Sequence, residues 1–167
     1  MSTQTCNPNF IIRSATIKDI TLILRFIQEL ADYEELLHEV VADEVTLKES
    51  LFGNTPHAKV VIGEYNGRPV SFALYFHNFS TFLGRPGIYL EDLYVQPNMR
   101  GKGLGKILLG YLASLALELK CGRLEWWVLD KNTPAIDFYQ SLGAKPMNEW
   151  TVNRVAGVAL DRLAQKL

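Results

Sequence analysis

The chain has 167 residues, 48% of them apolar, and a formal net charge of −1. That length suits a single domain with a substantial core. The near-neutral charge excludes the broad basic field of a nucleic-acid-binding surface, and the apolar runs break well short of the ~20 residues of a membrane span.

Residues 1–9 are polar and predict a flexible N-terminus; 10–167 read as one domain. Residues 10–13 (Phe-Ile-Ile-Arg) predict a first strand. Thr16-Ile-Lys-Asp19 has the spacing of a capping box, with Asp where Glu is usual. Ile20, Ile23, Leu24, Ile27, Leu30 and Ala31 then recur at helical spacing. A second, short helix is expected over 43–52. Residues 59–65 and 70–76, joined through Asn66-Gly67, predict a hairpin with a favoured two-residue turn. A strand over 88–95, a long apolar helix over 103–119 and a strand over 124–129 follow. Thr133 as N-cap with Pro134 in the first turn predicts another helix, ended by Gly143. Residues 147–155 read as a last strand or hairpin, and 160–167 as a terminal helix. The class is mixed α/β (α+β).

The sequence concentrates its chemistry in Tyr89-Leu-Glu-Asp-Leu-Tyr-Val95 and the stretch Gln96-Pro-Asn-Met-Arg-Gly-Lys-Gly-Leu-Gly-Lys106. A strand carrying two carboxylates stops at a proline, and a glycine-rich basic loop opens the long helix. Helix N-termini expose unpaired N–H groups with partial positive charge, and glycines let an anion come close. Backbone N–H groups of Gly101, Lys102, Gly103, Leu104, Gly105 and Lys106 are thus candidates for cradling a diphosphate. Arg100 and Lys102 either reach a further phosphate or stay solvated.

With the segment Asn132-Thr-Pro-Ala-Ile-Asp-Phe-Tyr139-Gln-Ser-Leu-Gly-Ala144 downstream, the pattern Arg100-Gly-Lys-Gly103-Leu-Gly105 resembles that of the GNAT superfamily of acetyl-CoA-dependent N-acetyltransferases. The resemblance covers about residues 10 to 155. Tyr-Leu-Glu-Asp at 89–92 and Glu-Leu-Ala-Asp-Tyr-Glu at 29–34 are most similar to the spermidine/spermine (diamine) branch. The resemblance implies a central, mostly antiparallel, splayed sheet flanked by helices, and acetyl-CoA as co-substrate.

It also implies roles. Tyr139 would donate a proton to the leaving thiolate. Glu91 would take the proton from the acceptor ammonium, whose pKa of about 10 keeps it from attacking until it is lost. Glu91 and Asp92, neighbours on a strand, are expected on opposite faces, with Asp92 holding structure or a second cationic end of the acceptor. Leu93, Tyr94 and Val95 would bind the pantetheine arm and polarise the acetyl carbonyl through backbone groups. Asn132, Thr133, Pro134 and Ala135 would line the cofactor. Tyr33, Glu34 and Glu149 would complete an acidic acceptor cleft, and the branch implies a homodimer.

Acceptor chemistry stays open at this level. A polyamine or diamine leads; lysine-like amino acids such as thialysine and protein lysines are alternatives. A non-catalytic acyl-CoA-binding module is a competing class, disfavoured by the presence of both Glu91 and Tyr139. An ATP site is ranked last, since Leu104-Gly105-Lys106 lacks the Gly-Lys-Ser/Thr hydroxyl. Cys6 and Cys121 lie far apart, and His38, His57 and His77 lack ligand spacing. No metal site or disulfide is expected. No secretory pattern is visible at the start, so the expected location is cytoplasmic.

Overall fold

The computed structural model describes residues 2–167. Two compact units divide the chain, one running to Trp127 and the other spanning Val128–Leu167. The first unit holds strands β1 (Ser2–Gln4), β2 (Phe10–Ser14), β3 (Lys59–Tyr65), β4 (Arg68–Ser80), β5 (Arg85–Val95) and β6 (Leu124–Trp126). It also holds helices α1 (Ile20–Tyr33), α2 (Glu44–Phe52) and α3 (Leu104–Glu118). The second holds α4 (Thr133–Ser141) and α5 (Val158–Ala164). None of the helices among the described residues is long and apolar enough to cross a membrane.

The six strands form one open sheet in sequence order. Neighbours pair antiparallel except β5 and β6, which run parallel through the α3 crossover. Ser2, Thr3 and Gln4 pair with Arg13, Ile12 and Ile11, so the stretch expected to be flexible carries an edge strand. Its polar sequence hides this, because an exposed edge strand has no apolar alternation to show.

The predicted hairpin forms with Asn66 and Gly67 both at positive φ, 49° and 74°, as a type I′ turn requires. The start of α1 is fixed by Asp19. Its Oδ2 accepts from the Thr16 N–H at 2.7 Å, and Arg13 grips the same carboxylate at 2.8 Å. The Arg13 guanidinium holds the Asp19 carboxyl below its ordinary range. The other end of α1 closes with Glu35 at φ 65°. Leu36 N–H bonds Ala31 O at 2.8 Å and Glu35 N–H bonds Asp32 O at 3.0 Å. That pair of bonds is a Schellman motif with glutamate where glycine is usual.

On one face of the sheet, Ile23 and Phe26 of α1 and Leu51 of α2 pack with Val60, Ile62, Phe72 and Tyr94. The Phe26 ring lies 5.6 Å from Phe72 and 5.7 Å from Tyr94. Helix α3 lies against β5 and buries Leu104, Leu108, Leu109, Leu112 and Ala116.

Three other expectations change. Strand β6 ends at Trp126 instead of continuing to 129. The N-cap of α4 is Asn132, whose Oδ1 accepts from the Ala135 N–H at 3.3 Å, with Thr133 already inside the helix. Asn competes at least as well as Thr for this place. Residues 147–155 form no strand; Trp150 N–H closes a turn on Met147 O at 3.0 Å. The alternation there finds no neighbouring strand to pair with among the described residues.

Candidate active site

Strand β5 carries the carboxylates, and its register decides where they point. Across the ladder, Leu74 faces Asp92 and Tyr75 faces Leu90. Glu91 is therefore an extra residue without an opposite number, a β-bulge. Paired residues share a face, and successive residues on β4 alternate. Leu90 thus joins Tyr75 on one face. Asp92 joins Leu74, Phe72 and Tyr94 on the face covered by α1. The simple alternation expected for Glu91 and Asp92 does not apply at a bulge. Glu91 is exposed, and Asp92 is half-buried.

Burial pushes the Asp92 carboxyl up to about 6, and the negative charges of Glu91 and then Glu34 add to the shift. The structure thus gathers Glu34, Glu91 and Asp92 into one electrostatic group. Its buried member titrates close to neutrality, the range suited to a general base.

The other edge of β5 opens at the same point. Parallel pairing joins Ile88 to Leu124, Tyr89 to Glu125 and Leu90 to Trp126, then stops. Strand β5 continues to Val95 with no further strand paired on that edge among the described residues. The backbone groups of Leu93 and the Val95 N–H face that open edge, whereas the N–H and C=O of Tyr94 face β4 in the ladder that Gln96 N–H continues to Val70 O. The Tyr94 side chain is buried in the core with Ile23 and Phe26. Its hydroxyl is hydrogen-bonded to Glu29 and pushed up to about 12, mainly by burial.

After β5 a short 3-10 turn, Pro97–Met99, leads into the glycine loop. Gly101 and Gly103 sit at φ 76° and 75°, a region that disfavours side chains. A Cβ at either would meet nothing within 4 Å, so the loop borders open space. The Ile107 N–H bonds back to Gly103 O at 3.1 Å. The N–H groups of Leu104, Gly105 and Lys106 therefore emerge at the positive end of α3. The Leu104 side chain is buried and anchors the turn. Lys106 is exposed, and the Lys102 ammonium lies 5.6 Å from the Tyr65 ring. This backbone fits a diphosphate.

Arg100 is exposed and also makes contacts within the chain. Its guanidinium lies 4.2 Å from the Tyr33 ring centroid and 6.0 Å from that of Tyr94. Its Nε donates to Val95 O at 3.1 Å. Arg100 therefore joins the diphosphate loop to the end of α1, where Tyr33 and Glu34 stand.

In the second unit, Asn132 is engaged in capping α4, with Thr133, Pro134 and Ala135 forming its first turn. Tyr139 lies on α4 with its ring 5.3 Å from Phe138. Glu149 sits on an exposed turn. Among the described residues no group of His, Cys, Asp and Glu could hold a metal ion.

Two residues of the site escaped the sequence reading. Glu29 hydrogen-bonds Tyr94, and Tyr65 faces Lys102. The signal for Glu29 was its spacing, four residues after Arg25, to which it pairs at 3.6 Å, and four before Tyr33. Tyr65 gave no signal, since it meets Lys102 only through the fold.

The sequence pattern of the acetyltransferase (GNAT) family matches residues 24–144. The chain is 39% identical over 166 residues to the thialysine N-epsilon-acetyltransferase of Bos taurus, covering 93% of this chain and 97% of that protein. It is 30% identical over 197 residues to the L-ornithine N5-acetyltransferase of Arabidopsis thaliana, covering 91% and 86%. Among solved structures, an integron cassette protein from the mobile metagenome of V. cholerae superposes with a TM-score of 0.79 at 27% identity, covering 94% of this chain and 98% of that one. A carboxylate bulge, an opened strand edge and a glycine cradle lie within the matched span, and the chain belongs to the acetyltransferase (GNAT) family.

Proposed function

We propose that this chain transfers an acetyl group from acetyl-CoA to the terminal primary amine of a small cationic amino acid of the lysine, ornithine or thialysine type. The observation that carries the reading is Asp92, half-buried at the bulge with its carboxyl pushed up to about 6. A carboxylate of that strength accepts a proton from an alkylammonium, directly or through one water, at neutral pH. The names of the relatives favour an amino-acid acceptor over a polyamine.

Acetyl-CoA would supply the activated acetyl group. The backbone of 101–106 would hold its diphosphate at the start of α3. Backbone groups on the open edge of β5 would bind the pantetheine arm, and an N–H there would stabilise negative charge developing on the acetyl oxygen. Asp92 would remove the proton from the acceptor amine while Glu34 and Glu91 attract its positive charge. Tyr139 would return a proton to the leaving sulfur.

A polyamine acceptor is the second reading, because three carboxylates, Glu34, Glu91 and Asp92, attract a dication more strongly than a monocation. A thiol-release assay with acetyl-CoA and a panel of amines tests both. Release with ornithine- or lysine-type amino acids is the expected result, and release with no amine overturns the reading. The resemblance to the polyamine branch supports a cytoplasmic homodimer as a further proposal. A clean monomer in sedimentation at micromolar concentration contradicts the dimer.

A further inference from the structure

Strand β6 is three residues long and ends the sheet. Among the described residues only β5 holds it, through the pairs Ile88–Leu124, Tyr89–Glu125 and Leu90–Trp126. So short a parallel ladder is a weak hold. Helix α3 packs against β5 and β6 on one face. The other face carries a polar bridge. Glu125, paired with Tyr89, reaches back across β5 to Asn78 of β4, the partner of Gly87. Asn78 Nδ2 donates to Glu125 Oε2 at 2.7 Å, and Arg123 Nε stands 2.8 Å from the same oxygen. The bridge passes over Gly87 because glycine alone leaves room. A Cβ there would meet Asn78 Oδ1 and come within 2.9 Å of Arg123 Cγ.

A row of rings lies beside it, nearer the opening. The Phe76 ring is 5.0 Å from Tyr89, and Tyr89 meets Trp127 edge-on at 5.8 Å, again running from β4 towards β6. The register places both rows on the face of Leu74 and Asp92. The backbone ties the start of β6 as well. Gly122 N–H donates to Pro86 O at 2.8 Å, and Ile88 N–H donates to Arg123 O at 3.0 Å. On β5 all these ties stop by Leu90. Beyond it no pair forms, and Leu93 and the Val95 N–H face the gap. Strand β6 is therefore clamped at one end and released at the other.

We propose that Glu125, held by Asn78 and Arg123, is a positioning residue that fixes how far β6 stands from β5 beyond Trp126, and so the width of the slot that receives the pantetheine arm. The inference rests on the proposed binding of acetyl-CoA along that edge and adds what holds the slot at one width. Glu125 acts through β6 and needs no contact with the ligand. A carboxylate gripped by an amide and a guanidinium has a defined geometry, which an apolar contact of the same size lacks. A slot set before the ligand arrives spares the ligand the cost of ordering it.

The test compares two ligands that share the glycine loop: CoA, and adenosine 3′-phosphate 5′-diphosphate, which keeps the diphosphate and lacks the pantetheine arm. Direct titration gives the Kd of each, with a thermal melt of every variant. Glu125→Ala should weaken CoA by about tenfold or more, since small displacements of a binding edge are costly, and should leave the nucleotide within about twofold. Glu125→Gln keeps an acceptor for Asn78 and loses the charge facing Arg123, so its CoA affinity should fall between those of wild type and Glu125→Ala. Gly87→Ala, which pushes the bridge from below, should weaken CoA with the same selectivity. Equal weakening of both ligands in folded Glu125→Ala overturns the inference, because the bridge would then support the sheet as a whole. Unchanged affinity for CoA overturns it too. If Glu125→Ala does not fold, Glu125→Gln decides by the same two criteria. Thiol release is read separately. Wild type that binds CoA and acetylates no amine removes the proposed function and leaves this inference standing, whereas wild type that binds no CoA removes both.

Discussion

Leu90 and Asp92 stand two residues apart on one strand and face opposite sides of the sheet. Regular alternation would put them on the same side. The bulge at Glu91 turns Asp92 away from the face of Leu90 and towards α1. There burial and two negative neighbours push its carboxyl up to about 6.

The first prediction concerns proton removal. Asp92→Asn should lower turnover by about 10²- to 10⁴-fold at neutral pH. Glu91→Gln removes a charge that raises Asp92, so the acidic limb of kcat/KM should move to lower pH. The pH profiles of both variants check this. Full activity in Asp92→Asn together with an inactive Glu91→Gln would return the role to Glu91.

Asp92 should also affect stability. Its folded pKa of about 6 exceeds the ordinary 3.8. Between those values the folded state holds a proton that the unfolded state has released, so stability falls as pH rises through the window and levels off above it. The penalty is on the order of 2–3 kcal/mol. Asp92→Asn should therefore raise Tm by several degrees at pH 7 to 8 and change it little at pH 4. A melting series across pH reads both arms, and an equal Tm gain at pH 4 would contradict the assignment.

Tyr139→Phe should lower turnover by roughly ten- to ten-thousand-fold, because a phenyl ring cannot return a proton to sulfur. Acetyl-CoA affinity should hold within a few-fold. Single-turnover kinetics and direct titration separate the two effects, and full activity would move the general-acid role elsewhere.

Two glycines should fail in different ways. A Cβ at Gly63 would meet Ser71 Oγ and the Phe10 ring. Gly63→Ala should destabilise the fold by about 1–3 kcal/mol through overpacking. Gly103 borders open space, so Gly103→Glu should leave more of the fold intact while placing a negative charge in the cradle. Thermal melts and CoA titration should rank the two variants in opposite orders.

Elements whose cause is local were legible in the sequence. Asn66-Gly67 dictates its turn, Asp19 closes the box on Thr16 just ahead of α1, and Gly103 precedes α3 as the glycine run suggested. What stayed hidden depends on partners distant in the chain. The bulge at Glu91 exists only in register with β4, and no residue type announces it. The edge strand Ser2–Gln4 is recruited by β2. The contact of Arg100 with the Tyr33 ring had no sign in the sequence, because Tyr33 comes from α1. The candidate site was therefore legible as a set of residues and much less as a geometry.

The sheet needs a residue at position 91 more than it needs a glutamate there. Any side chain at an exposed bulge leaves the register of β4 and β5 intact, so point mutations at this codon should be tolerated by the fold. Loss of the codon is a different event. The ladder would close without its extra residue, and every side chain from 92 onward would exchange faces relative to 85–90. Asp92 would change sides, and Tyr94 would leave the core it shares with Phe26. In a library selected for folding alone, this position should vary freely in identity and almost never in length.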